Sequence, residues 1–331
     1  MSMMRRRSLL APVALALVGP PAARPARAQS SGQAPWPQRP IRVTIAFPPG
    51  GPTDLVARVL GEHMARTLGQ PLVVENRPGA NGNIGAEQVA RAEPDGHSVL
   101  YNTSSIVLST ALYDKPGFAL SDFAPVVLTA SVPLVLAVNP ALPAEDLAGF
   151  VALLRASPGR FAYGSSGNGN VTHLANFRIL RAAGLQATHV PYRGSAPALT
   201  DAAGGQVQFV TDTLNSALPL IRDGRLRALA VTSPRRVPLL PEVPTLAEAG
   251  MPGLESGAWQ GLLVPARTPA PVVARLNEAA NLALADATVR ERLAIQGAEI
   301  LGGTPEAYGA WIREESARWG QVIAESGVKL D

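Results

Sequence analysis

The stretch "IRVTIAFPPGGPTD" at residues 41–54 opens as a buried strand, then breaks into two prolines, two glycines and a Pro-Thr-Asp that starts a helix. Prolines remove backbone donors and fix φ, glycines allow positive φ or close backbone approach, and Thr53 or Asp54 stands where it can cap the following helix. Leu55, Val56, Val59, Leu60, His63, Met64 and Leu68 recur at spacings of three and four, which predicts a helix over 53–68 with one apolar face. A strand, a glycine-rich turn and an amphipathic helix form the first unit of an α/β fold. Its turn is a corner rich in backbone donors.

The unit repeats downstream. Strands at 72–75 and 98–101 flank a helix at 84–92, and this βαβαβ order predicts a parallel sheet with right-handed crossovers. "FAPVVLTA" (123–130) and "PLVLAVNP" (133–140) read as two adjacent strands divided by little more than Pro133, which suits a crossing between domains. A second βα series follows, with helices at 145–156, 171–183, 196–203 and 216–222 and strands at 161–163, 188–191, 208–211 and 226–232. The proline-rich 234–250 reads as a return loop with one short helix. A strand at 260–264 and helices at 269–285, 289–296 and 305–325 complete the chain, without an internal repeat of fixed period.

Residues 1–28 read as an export signal. Arg5, Arg6 and Arg7 precede an apolar stretch at 9–18 and an Ala26-Arg27-Ala28 cleavage site. A membrane span needs roughly 20 apolar residues, so this stretch is too short to be one. Arg6-Arg7-Ser8-Leu9-Leu10 also fits a twin-arginine signal, the alternative to the general secretory route. Residues 29–35 then form a linker. Of 29 basic and 25 acidic residues, five arginines (Arg5, Arg6, Arg7, Arg24, Arg27) and no acidic residue lie in the signal, leaving 24 basic against 25 acidic. That balance offers no positive excess to hold a phosphate backbone, so no nucleic-acid partner is expected. The absence of cysteine excludes disulfides, thiolate metal sites, a cysteine nucleophile and a lipid-anchored N-terminus. Export without an anchor implies the periplasm or the medium, and 331 residues suffice for two domains.

Strand-to-helix loops carry the functional signal: "PPGGPTD" (48–54), "NTSS" (102–105), "GSSGNGN" (164–170), "PYRGSAP" (191–197) and "TDTLNS" (211–216). In open α/β sheets such loops line the crevice beyond the carboxyl ends of the strands. They offer amides at helix N-termini and small hydroxyls, which suit a carboxylate; each helix end contributes only about 0.3–1 kcal/mol, so several must converge. Asp212 reads either as a helix cap or as facing a ligand, Arg193 as a carboxylate clamp or a solvated charge, and His173 as a cleft donor or a residue held by its neighbours. His63, His97 and His189 read as structural or exposed. Ser165 or Ser166, His173 and Asp212 follow the chain order of a hydrolase triad, but "GSSGNG" lacks the nucleophile-elbow pattern. "GNGNVT" misses the third glycine of a dinucleotide fingerprint, and no phosphate-loop motif or metal-ligand spacing occurs. No catalytic residue, metal or cofactor is therefore expected.

The motifs "IAFPPGGPTDLVAR", "VENRPGANGNIGAEQVARAEPDGHSVL", "YGSSGNGNVTHLA", "HVPYRGSAPALTDAAGGQVQFVTDTLNSALPLIRDGRLRALAVTS" and "LLPEVPTLAEAGMPG" resemble, in order, those of the tripartite tricarboxylate transporter substrate-binding family, the Bug proteins. The resemblance runs from about Trp36 to the C-terminus. It implies an α/β, two-domain periplasmic-binding-protein fold of type II-like organisation, each domain a sheet flanked by helices, with a ligand cleft between them. Domain 1 would comprise 36–132 plus 253–331 and domain 2 133–252, with hinges near 130–134 and 252–259. It further implies a small carboxylate ligand and, in many members, integral membrane transporter subunits as partners; a monomer is expected, and the rival readings are a ligand-dependent sensor partner of a membrane receptor and, from a different class, a secreted esterase using Ser166. Carried over by motif, the first carboxylate loop is Pro48 to Asp54, with backbone contacts from Gly50, Gly51 and Thr53, and with Phe47 and Asp54 among the ligand-binding residues. Thr103 and Ser104 would add side-chain contacts, and Ser166, Gly167 and Asn168 would form the second domain's ligand loop beside His173, Arg193 and Asp212. The family often has Lys where this chain has Arg193, and "FDN" where it has "VTDT".

Overall fold

The computed structural model describes residues 36–330 apart from Gln296, so the expected signal and linker lie outside the described residues. Ile41–Ile45 (β1) buries Ile41, Val43 and Ile45 and pairs in parallel with Leu72–Asn76 (β2) and Ser98–Thr103 (β3). Between them run the helices Pro52–Leu68 (α1) and Asn83–Ala90 (α2). Val56, Leu60, Met64 and Leu68 of α1 are buried, while Leu55 is 43% exposed at the edge of the apolar stripe. The cap differs from expectation. Gly51, which has no side chain to cap with, occupies the N-cap, and Asp54 turns back to accept from the amide of Gly50.

Ser105–Leu112 (α3) was not legible as a helix. Its "SIVLSTAL" is apolar on nearly every side, as a buried helix requires, and so carries no amphipathic period. The two strands expected on either side of Pro133 are one, Phe123–Val138 (β4), through which both prolines pass. Pro125 sits where the register shifts against Gly257–Pro265 (β9), and Pro133 is the last residue paired with it. A missing N–H is tolerated at a bulge or at a change of partner.

From Leu134 onward β4 pairs instead with Phe209–Thr213 (β7) and Arg227–Val231 (β8). Ala162–Ser165 (β5) and Thr188–Pro191 (β6) extend that side in parallel with β7, giving the order β2-β1-β3-β9-β4-β7-β5-β6. The sheet is thus mixed rather than purely parallel: β4 runs antiparallel to β7, β8 and β9, and to the short Glu299–Ile300 (β10).

Helices cover both faces. Ala270–Ala285 (α8) and Ala287–Ile295 (α9) share a core with α1, through Leu276, Ala280, Val289 and Leu293. On the other face Pro305–Ser326 (α10) packs Tyr308, Ile312 and Trp319 with Trp259 of β9 and with α3. Around the second part of β4 lie Leu147–Ala156 (α4), Val171–Ala182 (α5), Ser195–Ala203 (α6) and Leu214–Arg222 (α7). Two close fits fix α10. A Cβ on Gly261 would stand 2.4 Å from the Tyr308 ring, and buried Glu315 accepts from the indole N–H of both Trp259 and Trp319 at 2.9 Å.

The short helix expected in 234–250 is replaced by turns. Thr245 and Glu248 bond reciprocally, side chain to amide, but the segment closes a single turn and returns to β8 through Leu246 N–H to Val231 O. Among the described residues no helix is long and apolar enough to cross a membrane.

Candidate ligand-binding site

Five strand-to-helix junctions, β1–α1, β3–α3, β5–α5, β6–α6 and β7–α7, border one cavity of about 300 Å³. Its apolar surface comes from Phe47, Leu108, Val132, Val171 and Ala258. The polar surface consists of hydroxyls and amides: Thr53, Thr103, Ser104, Ser105 and Gln260 on one side, and Ser166, Asn170, Thr172, Ser195, Thr213, Asn215 and Ser216 on the other. No charged side chain is among these lining residues. The cavity therefore offers oriented dipoles and no full charge.

Of the residues named from the sequence, Phe47, Thr53, Thr103, Ser104 and Ser166 line the cavity. Gly50, Gly51, Asp54, Gly167, Asn168, His173, Arg193 and Asp212 are not in its lining. Gly50 is left-handed (φ 79°) and spends its amide on Asp54 at 3.0 Å. Asp54 is 3% exposed and fully engaged: Oδ2 accepts from Gly50 N–H and Arg58 Nε, Oδ1 from Asn76 Nδ2, and Asn76 also donates to the carbonyl of Phe47. It braces the loop at both ends. Burial alone would raise its pKa, but the bonds from Arg58, Gly50 and Asn76 prevail and hold it at about 2.

Ser166 bonds Thr172 twice, through its amide and its hydroxyl, and Asn170 caps α5 by accepting from Thr172 N–H. Gly167 (φ 144°) lets this loop turn, and Asn168 is exposed. Behind the loop His173 and His189 stack with ring centroids 3.7 Å apart, and Tyr163 stacks on His189. His173 Nδ1 accepts from Gly169 N–H, and His189 Nε2 lies 2.7 Å from Ser165 Oγ. Burial, joined for His173 by the neighbouring His189, lowers both pKa values to about 4, so both rings are neutral at pH 7. His173 thus supports the loop from behind. Serine, histidine and aspartate also belong to separate bonds: His189 meets Ser165, Ser166 meets Thr172, and Asp212 meets Ser195 and Thr213. No triad forms among them.

Arg193 is exposed beside β6. Asp212 is 0% exposed, under Ser195 and Thr213; Oδ1 accepts from Ser195 Oγ and from Thr213 N–H, both at 2.7 Å. Burial raises its pKa to about 6 against those bonds. On the opposite wall Gln260 is held through Oε1 by Tyr101 Oη, which leaves its amide nitrogen for the cavity. Sequence reasoning passed over Ser195, Thr213, Asn215 and Ser216 although it had marked their loops, since it favoured the charged members. Val132 and Gln260 lie within strands and carry no local signal.

A family described as "Tripartite tricarboxylate transporter family receptor" matches residues 56–328. The chain belongs to this family. Among solved structures, the periplasmic binding protein BugD is 36% identical, with a TM-score of 0.76 over 89% of this chain and 99% of its own. A R. palustris protein solved with adipate is 36% identical, with a TM-score of 0.80 over 89% and 99%. MatC from Rhodopseudomonas palustris, solved with bound malate, is 35% identical, with a TM-score of 0.76 over 87% and 100%. The α/β architecture is therefore that of periplasmic solute-binding proteins, the class to which the family's members belong.

Proposed function

We propose that this protein captures a small carboxylate in the cleft by domain closure, in the periplasm, and passes it to integral membrane subunits of a tripartite tricarboxylate-type transporter. The observation that carries this reading is the cavity of about 300 Å³, where five helix starts meet hydroxyl and amide side chains without a charged lining residue. A volume at the lower end of the usual range for ligand sites suits a small acid. The adipate and malate seen in the two Rhodopseudomonas relatives support the ligand class. In this reading Thr53, Thr103, Ser104 and Ser166 touch the ligand, the amide of Thr53 at the start of α1 grips its carboxylate, and Asp54 holds the loop.

The moving bodies are 36–132 with 253–331 and 133–252, hinged where β4 exchanges β9 for β7 between Pro133 and Leu134. Ligand shifts the open and closed populations by its differential affinity for the closed form. Thermal unfolding of the exported protein, refolded to strip host ligand, against millimolar small carboxylates tests the reading. A ligand at 100 times its Kd adds about 2.7 kcal/mol, a shift of several degrees. A flat panel with refolded protein refutes it.

A further inference from the structure

The wall formed by α6 and α7 has a fixed hydrogen-bond polarity. A backbone amide can only donate, so the 2.7 Å bond from Thr213 N–H shows that Asp212 Oδ1 carries no proton. Ser195 Oγ, 2.7 Å from that same oxygen, must therefore be the donor. The Thr213 hydroxyl has a single proton, with Asp212 Oδ1 at 3.2 Å and Ser216 Oγ at 3.0 Å as the acceptors within reach. Both protons are engaged within the protein. What Ser195 and Thr213 present to the cavity they line is oxygen lone pairs.

We propose that Asp212 is a positioning residue that turns Ser195 and Thr213 into an accepting wall, so that the ligand carries a hydrogen-bond donor, hydroxyl or ammonium, besides its carboxylate. This rests on the carboxylate reading above. The second oxygen of Asp212 is buried without a partner, and the bonds to the first come from hydroxyls and an amide, so no cation stands under this wall to hold a second carboxylate. A plain second carboxylate placed there brings acceptor against acceptor. A hydroxyl or ammonium completes the bonds that Ser195 and Thr213 leave open. The opposite wall has the reverse polarity through the amide nitrogen of Gln260. Ser195 and Thr213 thus face the cavity with one polarity and Gln260 with the other, which orients an asymmetric acid.

Matched ligands separate this from simple carboxylate binding. The exported protein, refolded to remove host ligand, is titrated calorimetrically with succinate, malate and aspartate, with propionate, lactate and alanine, and with glutarate, 2-hydroxyglutarate and glutamate. Within at least one set the donor-bearing member should bind about tenfold more tightly than the plain acid, the worth of one good hydrogen bond. Whether the hydroxyl or the amine wins identifies the donor. Ser195→Ala should bring that ratio to within about threefold by weakening the donor-bearing ligand alone, whereas lost packing weakens both members alike. Plain acids binding as tightly as their partners, or an unchanged ratio in Ser195→Ala, overturns the proposal and leaves the carboxylate reading standing. Silence across all three sets removes both.

Discussion

Replacing Asp54 by Asn tests whether a buried carboxylate holds the first loop of the cleft. Three donors converge on it, from Gly50, Arg58 and Asn76, and an amide at this position would turn an NH2 group toward at least one of them. The shift from 3.8 to about 2 corresponds to about 2 kcal/mol of folding stability, after allowing for the solvent that reaches Arg58. The folded pKa lies below the unfolded one, so this stabilisation is complete above pH 3.8 and is lost as the pH falls through about 2. At pH 7 Asp54→Asn should lie about 2 kcal/mol below wild type in urea unfolding, with Tm lower by about 4–8 °C. The gap should narrow by a few tenths of a kcal/mol by pH 4 and by about 1 kcal/mol by pH 3. Other carboxylates titrate in both proteins and cancel in the difference. A gap that stays constant from pH 7 to pH 3 would mean that charge at Asp54 contributes nothing, and the account of the loop would fail.

Gly261→Ala should cost about 2–4 kcal/mol in urea unfolding, since its Cβ would enter the ring of Tyr308 and disturb the Tyr308 bond to Asn102; wild-type stability in this variant would disprove the fit. Glu315→Ala should lose about 3–5 kcal/mol because two buried indole N–H groups lose their acceptor, and Glu315→Gln, which keeps an oxygen, should lose clearly less; equal losses in urea unfolding would show that the indole bonds do not matter. His173 and His189 are neutral in the fold, with pKa values near 4 against an unfolded value near 6.5. Their contribution is therefore intact above pH 6.5 and falls as the pH drops toward 4, by about 3 kcal/mol for the pair once partial solvent contact is discounted. Unfolding midpoints of wild type and His189→Gln at pH 7, 6 and 5 should converge, and parallel profiles would contradict this.

How much was legible follows from where each signal is stored. The apolar period of α1 and the βα alternation are local, and they gave the elements to within a few residues. The central antiparallel pairing was not local: β4 and β9 meet across more than a hundred residues, and nothing in "FAPVVLTASVPLVLAV" names its partner. Pro133 looked like a break between two strands and marks instead the change of partners along a single strand. At the cleft, the sequence marked the junctions because glycine, serine and asparagine after strands are visible there. It also pointed to Arg193, His173 and Asp212, because charge is conspicuous in a sequence, and none of the three is among the lining residues. In the fold a full charge must be solvated or bonded, so Arg193 lies in solvent, while Asp54 is buried against Gly50, Arg58 and Asn76 and Asp212 is buried against Ser195 and Thr213, which face the cavity.

The neutral lining bears on the proposed capture function. A buried arginine would bind a carboxylate tightly, but at a desolvation cost incurred whether or not ligand is present. Helix N-termini supply partial positive charge without that cost, at about 0.3–1 kcal/mol each toward an exposed anion. Five such ends in an open cleft give only weak binding, because water screens every one of them. Closure that excludes water strengthens all of them together, since the same dipoles act more strongly at low dielectric. Affinity in this design therefore belongs to the closed state, and reopening the cleft returns the ligand to weak, screened contacts. For a protein that must release its cargo to a membrane partner, that dependence allows a small conformational bias from the partner to act as the release step.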